Sequence, residues 1–204
     1  INSKENIYFI ICYIKSNYLY IEKYKITIGN NYEKTEYKID NSINSTDQNL
    51  SCEIINNIKN QKLLTCFIQE ENDQNYRIIQ LIYDPENNFQ IISKNIIYQM
   101  NSKILTIKSV KNKENSILFT CFVDESNNAN CFSFNSYAVT HSNIITIFNN
   151  CLGMSYSLKI NFDESNEEIY VSCILNTYYD YYDYSAIIFD EELKIRSNYN
   201  NYND

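Results

Sequence analysis

The chain has 204 residues, 44% hydrophobic and 21% charged, a globular balance that excludes a disordered chain and suffices for one large domain or two small ones. Its formal net charge is −8, and its Lys and Arg are scattered apart from the short Lys108, Lys111 and Lys113 stretch, so nucleic acid and anionic membrane are poor partners. The two glycines, Gly29 and Gly153, stand alone, which excludes a Gly-rich phosphate loop, and no cofactor is expected.

Taken in chain order, short apolar segments rich in Ile, Tyr, Phe, Val and Thr alternate with polar loops, which is strand composition. The first are residues 7–14 and 24–29. Four follow at 50–55, 63–68, 78–84 and 89–92, and four more at 104–107, 117–123, 131–135 and 144–147. The last are 154–158, 169–175 and 187–190, with a polar tail or linker at 197–204. Asn and Asp must form the turns, because they tolerate positive φ and glycine is scarce; Asn127-Asn128 and Asp163-Glu164 are examples. Tyr83-Asp84 and Phe189-Asp190 read as turn chemistry of the same kind.

One segment recurs around Cys12, Cys66, Cys121 and Cys173, with separations of 54, 55 and 52 residues and matching apolar neighbours. The other strands keep the same phase. The chain is therefore predicted to be all-β, about four four-stranded repeats of some 54 residues, with copies near 1–48, 49–102, 103–150 and 151–196 and the first beginning at its second strand. A four-stranded sheet cannot bury both faces alone, so copies must stack, and radial stacking gives a β-propeller. A partial ring of a six- to eight-bladed propeller is expected, with a β-sandwich as the competing architecture.

Seven cysteines without a Cys-x-x-Cys pair, beside the single His141, argue against a metal site. Cys52 with Cys66, Cys121 with Cys131 and Cys151 with Cys173 fall on consecutive strands and are candidate disulfides, leaving Cys12 for a partner upstream of Ile1. Disulfides imply an oxidising, extracellular or cell-surface location. Asn44 and Asn49 head glycosylation sequons in the polar stretch between the first two copies.

His141 reads as a surface residue in a polar loop, and the acid pairs Asp124-Glu125, Asp163-Glu164 and Glu191-Glu192 read as turns, so no catalytic residue is assigned. The unusual surface feature is the run Tyr178, Tyr179, Asp180, Tyr181, Tyr182, Asp183 and Tyr184, a candidate binding loop for a basic partner or a calcium ion. Over nearly its whole length the chain resembles β-propeller repeat proteins such as the kelch-like and WD-repeat families. It lacks their Gly-Gly and Trp-Asp marks, so no functional residue carries over. In composition it resembles surface proteins of AT-rich protists. A non-enzymatic binding or adhesion module with protein or glycan partners, without membrane insertion, is the function expected. The alternatives are a glycan-hydrolysing propeller enzyme and an intracellular scaffold with reduced cysteines.

Overall fold

A computed structural model describes residues 7–26, 32–42, 49–72, 75–154, 157–176, 182–190 and 192–200, and the described residues form strands and no helix. Four antiparallel sheets follow one another along the chain. The first joins β1 (Ile7–Lys15), β2 (Tyr18–Ile26) and β3 (Tyr32–Ser42). In the second, β4 (Leu50–Asn56), β5 (Lys62–Asn72), β6 (Asn75–Asp84) and β7 (Gln90–Met100) lie side by side. The third runs β8 (Ile104–Lys111), β9 (Ile117–Asp124), β10 (Ala129–Asn135), and both β11 (Thr140–His141) and β12 (Ile145–Phe148) pair with β10. The fourth is β13 (Leu158–Asp163), β14 (Glu168–Asn176), β15 (Tyr182–Phe189) and β16 (Ile195–Asn200).

Sequential sheets stack face to face. Leu19 and Ile21 of the first sheet meet Leu64, Ile79 and Tyr83 of the second. Ile55, Phe67 and Ile82 meet Ile107, Phe122 and Phe132 of the third, and Phe119 and Val123 meet Ile169, Val171 and Phe189 of the fourth. A middle strand therefore has neighbours on both faces, which is why β5 is buried continuously from Leu63 to Glu70. The strands β4, β8 and β13, each first in its sheet, approach one another in turn. Each sheet thus serves as a blade in an open, propeller-like array. No core cluster among the described residues joins the first sheet to the fourth, so the array does not close into a ring.

The turns repeat as faithfully as the strands. Asn57, Asn112 and Asp163 close the hairpins between first and second strands, each accepting backbone N–H groups through Oδ1. Asp84, Asn135 and Asp190 do the same after the third strand, with Asp190 accepting from Glu192 and Lys194 at 3.0 and 2.9 Å. Six residues in the left-handed region are asparagine (Asn17, Asn60, Asn88, Asn115, Asn127 and Asn150), so Asn does replace glycine here. Gly153 is different: a Cβ there would lie 2.0–2.9 Å from Leu105 side-chain carbons, and bare backbone is what the contact requires.

Among the expected boundaries that move, four have a local cause. The strand expected at 24–29 is β2, which begins at Tyr18, because Ser16 and Asn17 at φ 51° and 65° make a two-residue turn and return the chain at once. The strand expected at 154–158 begins at Leu158, since Ser157 N–H closes a turn on the Met154 carbonyl at 3.0 Å. Phe89, expected to open a fourth strand, sits at φ 56° with its ring against Tyr37, and β7 begins at Gln90. Residues 197–200, expected in the polar tail, belong to β16, an edge strand that needs only backbone pairing to β15.

Candidate functional site

An opening lies where the first sheet meets the second. Between β1 and β4, Tyr8, Ile10 and Cys12 line a cleft of about 390 Å³ together with Leu50, Cys52 and Glu53. A second cavity of about 580 Å³ shares Tyr8, Ile10, Ile54 and Lys111 with it and continues to Lys23, Lys62 and Glu86. Three strands of three sheets thus supply its cations: β2 gives Lys23, β5 gives Lys62 and β8 gives Lys111.

Lys23, Lys111 and Glu53 have defined settings. The Lys23 ammonium lies 4.6 Å over the Tyr8 ring and donates to the Pro85 carbonyl at 3.4 Å. Lys111 donates to the Ile54 carbonyl at 3.2 Å, so it is half-buried rather than part of a solvated loop face, unlike the exposed Lys108 and Lys113. Burial pushes the Glu53 carboxyl pKa up, against the pull of Lys111. In an acidic protein this is a local concentration of donors around an apolar floor. No motif announces it, because its residues are far apart in sequence; only the alternation of β2, which turns Lys23 to the face of Leu19 and Ile21, is a signal.

The cysteines are brought together in pairs. Cys52 is bonded to Cys66 and Cys121 to Cys131, each pair directly opposed in its hairpin with Cα atoms 4.1 Å apart. Cys151, outside any strand but bridged to Leu175, is bonded to Cys173 across 5.9 Å between Cα atoms. Cys12 is a free thiol, and its Sγ lies within 4.8 Å of those of Cys52 and Cys66.

The other candidates are dispersed. Residues 177–181 lie outside the described residues, as do the side chains of Tyr182 and Asp183; Tyr184 is exposed on β15. Asn44 also lies outside them, whereas the Asn49 amide nitrogen donates to the Ile104 carbonyl and ties the second sheet to the third. His141 is not a free loop residue: it pairs with Phe134 in β11 and stacks on that ring at 4.8 Å, with Nε2 buried and unpartnered, and burial lowers its pKa. Asp124, Asp163 and Asp190 spend their carboxylates on turns, and Glu191 lies outside the described residues. A polar pocket of about 420 Å³ between β7 and the third sheet holds Asn130, which accepts from Thr146 at 2.7 Å and donates to Asp124 at 3.3 Å.

No family model matches the sequence, and no curated protein matches it. Among solved structures, the β-propeller domain of the Trilobed protease from Pyrococcus furiosus is similar at TM-score 0.46 and 10% identity, covering 96% of this chain and 57% of that one. An acylaminoacyl peptidase of Pyrococcus horikoshii is similar at TM-score 0.43 and 8% identity, over 72% of this chain and 24% of that one. A eukaryotic initiation factor gives TM-score 0.42 at 10% identity, over 94% and 55%. The chain spans just over half the length of the first of these.

Proposed function

We propose that the chain is a non-enzymatic binding module of an oxidising, extracellular or cell-surface environment, and that the cleft between its first two sheets receives an anionic saccharide. The observation that carries this reading is the convergence of Lys23, Lys62 and Lys111 with Tyr8 on one apolar cleft of a protein of net charge −8. Lysines pair with carboxylates or sulfates, and aromatic faces lie against the apolar face of a sugar ring. The three disulfides support the compartment.

Calorimetric titration with a uronic-acid oligosaccharide tests it, with a neutral oligosaccharide of equal length as control. Lys23→Ala and Lys111→Ala are each expected to weaken binding about tenfold, roughly 1.4 kcal/mol. Lys108→Ala, on the same strand but exposed, is expected to leave it unchanged. Equal affinity for the neutral sugar, or indifference to both cleft substitutions, refutes the reading.

A second reading, glycan hydrolysis, draws on Glu53 alone, whose raised pKa suits a proton donor in the adjoining 390 Å³ cleft. Cleavage of the oligosaccharide by the protein and its loss in Glu53→Gln would favour it. The Tyr-rich run stays a separate proposed contact for a basic partner, tested by Tyr181→Ala with Tyr182→Ala.

A further inference from the structure

We propose that Cys12, Cys52 and Cys66 form a thiol–disulfide exchange site, in which Cys12 takes Cys52 from Cys66 and moves the covalent link from within the second blade to between the first and second. The inference is independent of what the cleft binds.

The geometry carries it. The three Sγ atoms lie within 4.8 Å of one another, although Cys12 belongs to β1 and the disulfide joins β4 to β5. Cys12 and Cys52 both line the 390 Å³ cleft, whereas Cys66 lies wholly buried behind it. Cys52 is therefore the sulfur open to attack and Cys66 the leaving group. The Cys12 thiolate attacks Cys52 Sγ; the Cys12–Cys52 bond forms as the Cys52–Cys66 bond breaks. Cys66 departs with the electron pair and takes up the proton that Cys12 gave up. One thiol and one disulfide exist before and after, so no oxidant or reductant is consumed.

The surroundings set the rate. Burial pushes the Cys12 thiol up to about 12, so it is protonated and unreactive at neutral pH. The titratable groups that line the cleft with it are Tyr8 on β1, Glu53 on β4 and Lys111 on β8, and Tyr83 on β6 is within electrostatic range. The Tyr83 hydroxyl is buried without a hydrogen-bond partner and lies in electrostatic range of Cys12. Below its pKa, the thiolate population rises tenfold for each pH unit, and exchange should rise with it.

Trypsin places the three cysteines in separate peptides, 5–15, 39–59 and 63–77, so the linkage is readable by mass spectrometry after acid quench. The oxidised protein is held at a series of pH values from about 7 to 9.5 under non-denaturing conditions. The expected result is a 5–15/39–59 link with alkylatable Cys66, accumulating about tenfold faster per pH unit and absent in Cys12→Ser. Cys66→Ser, reoxidised and verified as folded by its two other disulfides, should carry the Cys12–Cys52 link throughout. A 39–59/63–77 link alone at every pH in the native chain overturns the proposal, and so do two alkylatable thiols, Cys12 and Cys52, in folded Cys66→Ser.

Discussion

At the scale of single residues, Glu22 makes the sharpest electrostatic statement. It is only 8% exposed, on the face of the first sheet turned away from the second, and accepts from Lys34 at 2.8 Å, Tyr24 at 2.6 Å and Tyr13 at 3.0 Å. The Lys34 hydrogen bond, with Tyr24, holds its carboxyl at about 2 instead of the usual 4.5. A depressed carboxyl contributes stability that is complete above its unfolded pKa and is lost as pH falls through its folded one, here from about 4.5 to about 2. Glu22→Gln is therefore expected to flatten that part of the curve of unfolding midpoint against pH; an unchanged acid limb would mean that other carboxylates set it. Nothing in the sequence marks Glu22, which precedes the strand expected at 24–29 and owes its partners to the pairing of β2 with β1 and β3. Two of the cysteine pairs were legible because strand phase fixes which residues stand opposite, as Cys52 does Cys66 and Cys121 does Cys131; Cys151 is carried to Cys173 by a segment outside the strands. The nearness of Cys12 to that pair was not, since it depends on how two sheets stack.

Hairpins are the next scale, and here turn chemistry separates buried from exposed ends. Asn112 is 4% exposed and accepts from Ser116 at 2.9 Å and Ile117 at 3.0 Å, where water cannot substitute. Asn112→Ala should cost about 2–3 kcal/mol, because it strands buried donors. Asn135 serves Tyr137 and Ala138 in the same manner, but those residues are exposed, so Asn135→Ala should cost about 1 kcal/mol or less. Urea unfolding midpoints of the two variants measure the difference; equal losses would assign it to turn propensity instead. The Asp84 and Asp190 turns were readable from an aromatic followed by Asp. The early reversal at Ser16-Asn17 was hidden, because neither residue is glycine and Lys23 and Lys25 interrupt the apolar face of β2 that begins with Leu19 and Ile21.

Across the whole molecule, the period of the cysteine-centred strands made the succession of blades legible, while the cleft between β1 and β4 was not, since no periodicity encodes how two sheets stack. Stacking also fixes how stability is distributed. Each seam is shared by two adjacent sheets only, so coupling runs between neighbours, as in other repeat arrays. Phe67 meets Phe132 edge-on at 5.1 Å in the middle seam, and both are fully buried. Phe67→Ala removes that contact and should cost about 3–5 kcal/mol. If coupling is local, amide exchange should accelerate most in β5, β6, β9 and β10, less in β14, whose core against the third sheet is made by other residues. A uniform loss of protection through all four sheets would instead mean that the array opens as one cooperative unit, and the seams would then be parts of a single core rather than separable joints.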